Sequence, residues 1–101
     1  MLKYSLDGRE FRQLFSSHKS LIIGDLLFRY KKNNFSKLGL IVSKKYGNAV
    51  KRNLFKRRCR MLFDTYFKSK NICIIIQPKA SRLSWIQLDQ CFIKLHNQLY
   101  G

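Results

Sequence analysis

Residues 44–60 read KKYGNAVKRNLFKRRCR, with eight basic side chains in seventeen positions, no acid, and an apolar residue every few steps. Lysine and arginine at that density are suited to neutralising phosphates, and the planar arginine fork adds geometry through paired, charge-assisted hydrogen bonds. Solvated helix faces usually interleave Glu with Lys at four-residue spacing, whereas here no acid stands before Asp64. Solvation alone therefore does not account for the run. On a helix starting after Asn48, at about 100° per residue, Arg52, Lys56 and Arg60 fall on adjacent directions with Asn53 and Arg57 beside them. Val50, Leu54, Phe55, Met61 and Leu62 are expected on the buried side. Lys51 and Arg58 point toward that side, so Lys51 must swing clear from the first turn and Arg58 must snorkel from the edge of the stripe.

The remaining reactive side chains are few and dispersed. A metal-dependent nuclease needs clustered carboxylates to hold its cations, and Asp7, Glu10, Asp25, Asp64 and Asp89 stand singly along the chain. His18 and His96 lie at opposite ends, with no motif joining them into an acid and base pair. Cys59, Cys73 and Cys91 are odd in number, far apart and without nearby His ligands, so three reduced, mostly buried thiols are expected, with no zinc site and no disulfide framework. No catalytic residue and no metal ligand is expected in the chain.

Twenty-one Lys and Arg face five Asp and Glu over 101 residues, a formal charge of +16. Self-repulsion at that charge opposes folding, and a polyanionic partner is the usual reason to tolerate it. The apolar share of 46%, with eight Phe, five Tyr and one Trp, is too high for a disordered basic tail. A single RNA-binding domain over residues 1–101 is expected. No stretch approaches the ~18–20 apolar residues of a membrane span, and MLKYSLDGRE holds no apolar core of signal-peptide length. A cytoplasmic protein without membrane partners is the expectation.

These side chains need elements to position them. A first helix is expected from Asp7, with Glu10 completing a capping box and Phe11, Leu14 and Phe15 sharing one face. Leu21–Tyr30 reads as one bulged strand or as two short ones around Gly24-Asp25. After a polar turn at Lys31–Lys37, LGLIVS at Leu38–Ser43 reads as a strand. Gly47-Asn48 then punctuates, and helical periodicity runs to about Phe67. ICIII, Ile72–Ile76, reads as a strand buried on both faces and ended by Pro78. Ser84 with Gln87 forms a second capping box, opening a helix whose core stripe is Trp85, Leu88, Phe92, Leu95 and Leu99. The order is helix, two or three strands, helix, strand, helix, which makes an α+β sandwich of one sheet with helices packed on it.

KKYGNAVKRNLFKRRCR, preceded by LGLIVS and followed by ICIII, resembles the protein subunit of bacterial ribonuclease P. In that family a strand ending in Ser/Ala-Lys-Lys leads through a Gly-Asn-Ala-Val turn into a helix with an Arg-Asn-Arg and then a Lys-Arg pattern. The resemblance implies a two-layer sandwich of a mixed four-stranded sheet with helices, order αβββαβα, of the ribosomal protein S5 domain 2-like fold. It also implies that the basic helix sits in a left-handed βαβ crossover, against the usual right-handed rule.

In function, the resemblance implies the accessory protein subunit of an RNA-based endonuclease, a hydrolase and cytoplasmic ribonucleoprotein of tRNA processing. A separate catalytic RNA, carrying Mg²⁺, removes the 5′ leader of precursor tRNA. The protein, one copy per RNA, binds both that RNA and the leader, and holds no cofactor of its own. Lys44, Lys45, Asn48, Arg52, Asn53, Lys56, Arg57 and Arg60 are the residues implied to hold the catalytic RNA. Phe11 and Phe15 match two aromatics of the family's leader cleft, although their spacing serves core packing equally, and Phe28 or Tyr30 is expected to add stacking from the neighbouring strand. Two positions depart from the pattern. Leu54 stands where the family has the second Arg of Arg-Asn-Arg, and Gln77-Pro78-Lys79 reverses the family's basic residue before Pro. A ribosomal or rRNA-binding assembly protein would share the charge and the strand-helix mix.

Overall fold

The computed structural model describes Arg9, residues 18–80 and residues 83–101. Their element order is β1 (Lys19–Ile23), β2 (Leu26–Lys32), β3 (Lys37–Leu40), a 3₁₀ turn (Lys44–Tyr46), α1 (Ala49–Phe67), β4 (Ile72–Pro78) and α2 (Trp85–Tyr100). The helix expected from Asp7, with Phe11 and Phe15, lies outside the described residues.

The sheet order is β1-β2-β4-β3. β1 and β2 form a hairpin in register Ile23↔Leu26, which resolves Leu21–Tyr30 into two strands. Gly24 at their junction has φ +56, where a side chain is strained, and a Cβ there would also lie 3.2 Å from the Cys91 sulfur. β2 pairs antiparallel with β4 from Leu26↔Pro78 to Lys32↔Ile72, and β3 pairs parallel with β4 from Lys37↔Cys73 to Leu40↔Ile76. The sheet is thus mixed, and α1 is the crossover between its two parallel strands. β3 ends earlier than the LGLIVS run, at Leu40, although the Ile41 amide still donates to the Ile76 carbonyl at 3.0 Å.

Pairing puts Leu21, Ile23, Leu26, Phe28, Leu38, Leu40, Ile72, Ile74 and Ile76 on one face. Both helices cover it, and Phe55, Cys59, Leu62, Phe63 and Phe67 of α1 meet Leu88, Cys91, Phe92 and Leu95 of α2 in the same core. Phe67 lies at its centre, with ring centroids 5.9 Å from Phe63 and 6.3 Å from Phe92. Cys73 and Ile75 point to the other face and are buried there too, beside Ile41, as expected of a strand buried on both faces. All three cysteines are free and buried, and burial pushes the Cys59 thiol far up, away from the reactive thiolate.

The polar groups that end each element find partners. Buried Ser36 donates its hydroxyl to the Phe67 carbonyl at 2.9 Å and accepts from the Ile72 amide at 3.4 Å, joining the end of α1 to the starts of β3 and β4. Asn71, between α1 and β4, takes φ +52, which Asn tolerates better than most residues. The Ser84–Gln87 capping box is present, with the two reciprocal bonds at 3.1 and 2.9 Å.

Three apolar assignments need correction. Val50 is 75% exposed and Met61 56%. The buried stripe of α1 centres on Cys59, and nine residues, or about two and a half turns, carry Val50 to the opposite side. Trp85 is 38% exposed instead of belonging to the core.

Phe28 is fully buried, its ring edge-on to Phe92 at 5.7 Å and 89°. A ring with no free face cannot stack on a base, so Phe28 is core and not part of a leader cleft. Phe28→Ala should lower stability by about 3–5 kcal/mol in urea unfolding. A loss below about 1 kcal/mol would contradict this placement.

Candidate nucleic-acid interface

The basic run begins where β3 leaves the sheet. Lys44 and Lys45 occupy the 3₁₀ turn, both exposed, and Tyr46 fastens that turn to α1 with its ring 4.9 Å from Phe55. Asn48 caps the helix by accepting from the Lys51 amide at 2.9 Å. One of the expected RNA contacts thus commits its side-chain carbonyl to starting the helix that carries the others.

Along α1, Arg52, Lys56, Arg60, Asn53 and Arg57 sweep in that order from Arg52, about 20° from the direction of Cys59, round to the far side, within about 140° of arc at about 100° per residue. Burial follows the sweep. Arg52 and Lys56 are half-buried, while Asn53, Arg57 and Arg60 are exposed. The Arg52 Nε is buried without a hydrogen-bond partner, so this guanidinium is held against the protein by packing and not by a carboxylate. Among the described residues, no carboxylate pairs with Lys44, Lys45, Arg52, Lys56, Arg57 or Arg60; α1's own Asp64 lies 3.9 Å from Lys68, further along the helix. Together these side chains form a ridge of uncompensated positive charge along the 3₁₀ turn and one flank of α1.

The two cations that point away from the ridge are accommodated. Arg58 lays its guanidinium over the Trp85 ring at 5.6 Å, a cation–π contact that holds the helices together and explains why Trp85 remains partly exposed. Lys51 is exposed at the first turn. Leu54, where the family pattern has Arg, lines the groove between α1 and α2 with Tyr46, Phe55 and Leu88. An arginine at that position would extend the positive surface toward the second helix, whereas leucine makes it a packing position.

Sequence reasoning did not place Lys79 or the outer sheet face. Lys79 and Lys45 border a concave site of about 220 Å³ with Ser43, Tyr46, Pro78 and Ala80, which brings the end of β4 beside the start of the ridge. On the face away from the helices, β2 presents Arg29, 3.5 Å from the Gln77 amide oxygen, and Lys31. Tyr30 is half-buried and faces the helices, so it does not share the outer sheet face with Arg29. Two-residue alternation was the available signal, because the residues next to Phe28 point away from it. Phe11 and Phe15 lie outside the described residues. Of the eight residues expected to hold RNA, Lys44 and Lys45 are on the 3₁₀ turn, Asn48 is the N-cap, and the other five are in the N-terminal two-thirds of α1. Among the described residues, no three His, Cys, Asp or Glu side chains gather into a group that could hold a metal, and no helix is long and apolar enough to cross a membrane.

A mixed sheet covered on one face by two helices, one of them carrying a one-sided basic ridge, defines a small RNA-binding protein of the α+β class. The family model described as Ribonuclease P matches residues 5–100. The ribonuclease P protein component of Phytoplasma australiense is 34% identical over 97 residues, covering 89% of this chain and 84% of that protein. The RNase P protein from Thermotoga maritima superposes with a TM-score of 0.80 at 25% identity, covering 98% of this chain and 100% of that one. The Staphylococcus aureus RNase P protein has the same fold, with a TM-score of 0.82 at 23% identity over 99% of this chain and 97% of that one. The chain belongs to the ribonuclease P protein family and is a protein component of that ribonucleoprotein, with a role in tRNA processing.

Arg57→Ala should weaken RNA binding across sequences and reduce the slope of log affinity against log salt by about one. Binding titrations from low to moderate salt check this, and an unchanged slope would remove Arg57 from the interface. Asn48→Ala should cost about 1 kcal/mol of stability through loss of the cap, read by thermal or urea unfolding.

Proposed function

We propose that this chain holds the catalytic RNA of ribonuclease P along the ridge formed by Lys44, Lys45, Arg52, Asn53, Lys56, Arg57 and Arg60, and that it steers the 5′ leader of precursor tRNA toward that RNA. The observation that carries the reading is the ridge itself. Its helical cations share one flank of α1, Arg52, Lys56 and Arg60 climb about 6 Å at each four-residue step, commensurate with phosphates along a backbone, and no described carboxylate neutralises them.

The chemistry of cleavage belongs, in this reading, to the RNA and the Mg²⁺ ions bound to it. The protein's part is electrostatic and geometric. The ridge fixes the protein on the RNA through phosphate contacts, which position without reading sequence. The leader, a single strand that differs from one tRNA to the next, is suited to contacts that tolerate any base: stacking by Phe11 and Phe15, and charge from Arg29 and Lys31 on the outer sheet face. One protein copy per RNA, acting in the cytoplasm, completes the proposal.

The deciding experiment mixes the purified protein with ribonuclease P RNA and precursor tRNA at low Mg²⁺. Leader cleavage should appear only when protein and RNA are both present, because the protein's cations replace part of the screening that Mg²⁺ otherwise supplies. Cleavage by the protein alone would overturn the division of labour, and indifference of the RNA to the protein would overturn the subunit assignment.

A further inference from the structure

The ridge accounts for one flank of α1 and leaves the next one unexplained. Around the helix at about 100° per residue, Arg57 is followed by Val50 about 20° further on and by Leu54 about 60° further on. Val50 is 75% exposed, an aliphatic side chain that serves no core. The surface thus turns from charged to apolar where the ridge ends, and Leu54 leads on into the groove of about 300 Å³ between α1 and α2. The two surfaces also meet at the 3₁₀ turn, because Tyr46, which lines the groove, directly follows Lys45.

The lining of the groove combines two chemistries. Tyr46, Leu54, Leu83 and Leu88 are aromatic or aliphatic walls, and Lys51 and Arg58 stand among them. Those two cations lie about 10 Å apart along the axis of α1 and within about 20° in direction, with Leu54 between them in height. Arg58 rests over the Trp85 ring at 5.6 Å, a contact that leaves its charge uncancelled. Among the described residues no carboxylate lines the groove. A volume at the lower limit of small-ligand sites admits one planar ring system and excludes a helix. Apolar walls that take a ring, with two cations placed for the phosphates beside it, match a nucleotide better than a peptide.

We infer that the groove receives one unpaired base of the RNA that the ridge holds, with its ring against Tyr46 and Leu54 and its flanking phosphates on Lys51 and Arg58. The inference rests on the proposed binding of RNA along the ridge, and it adds a contact of a different kind. Ridge cations meet phosphates, which position the RNA without reading its bases. The groove takes only a base that has left its stack, as bases in the loops and bulges of a folded RNA do. Leucine at position 54 keeps this wall apolar, whereas a charged side chain there would occupy the groove and favour a phosphate instead.

The test uses the full chain and ribonuclease P RNA. Ultraviolet cross-linking of the wild-type complex should mark the tryptic peptide that starts at Leu83, on the α2 side of the groove and away from the ridge, as well as peptides within residues 44–60. The nucleotide joined to the Leu83 peptide is then replaced by an abasic one, which keeps its phosphate. That replacement should weaken binding of the wild-type chain by about tenfold, the scale of one lost base contact. Leu54→Ala should weaken binding of intact RNA by about as much and leave the slope of log affinity against log salt unchanged, because no phosphate contact is lost. The abasic RNA should bind L54A no more weakly than intact RNA does, since both changes remove the same contact. The cross-link and the abasic RNA are read on the wild-type chain, so they decide the matter however L54A folds. No cross-link to the Leu83 peptide, an abasic RNA that the wild-type chain binds as tightly as intact RNA, or losses from the two changes that multiply would overturn the groove while leaving the ridge standing. Failure of the wild-type chain to bind the RNA, or cross-links missing from residues 44–60, would instead strike the ridge on which the inference rests.

Discussion

Two strands that run the same way cannot be joined by a tight turn, and the parallel pairing of β3 with β4 is the constraint from which the rest of this molecule follows. The chain must leave the end of β3, travel the length of the sheet and re-enter beside it. That journey is α1. Its nineteen residues are held at both ends, by the Tyr46 ring against Phe55 at the start and by Ser36 against the Phe67 carbonyl at the finish. A basic helix with free ends would present its cations in many directions as it rolled. Here the aromatic and aliphatic stripe from Phe55 to Phe67 is clamped between the sheet and α2, so the flank carrying Arg52 to Arg60 has one orientation.

That rigidity matters because the charge opposes folding. With 21 cations against 5 anions, the native state brings like charges together that an unfolded chain would spread apart. The fold's answer is segregation. Among the described residues nearly all the cations stay at the surface, the core holds aliphatic and aromatic side chains with three buried thiols, and Arg58 is folded back on Trp85. An RNA that binds the folded ridge and not the unfolded chain adds stability by mass action, so partner and fold support each other.

The strands show where pattern reading reaches its limit. Phe28 and Tyr30 look alike in sequence as aromatics on a strand near a basic run, and both suggest stacking surfaces. Pairing separates the possibilities: Phe28 stands opposite Ile76 and Leu21 under the helices, and Arg29, between the two aromatics, takes the outer face. Val50 and Met61 went astray for a related reason. Each is apolar and near buried neighbours in sequence, but the direction of burial on α1 is set by Cys59 and Phe63, which contact the sheet and α2.

What the sequence by itself determined is whatever acts within about one helical turn or along one strand: the cap at Asn48, the box at Ser84 and Gln87, the period of α1, the continuous burial of ICIII and the missing acids between Lys44 and Arg60. From these the α+β class and the basic ridge were legible. Only the tertiary structure decided which side of β2 is core, that Leu54 lines a helix–helix groove, and that Trp85 receives Arg58. Those outcomes depend on strand register and helix placement between residues tens of positions apart, and side-chain types along the chain carry no distance information of that kind.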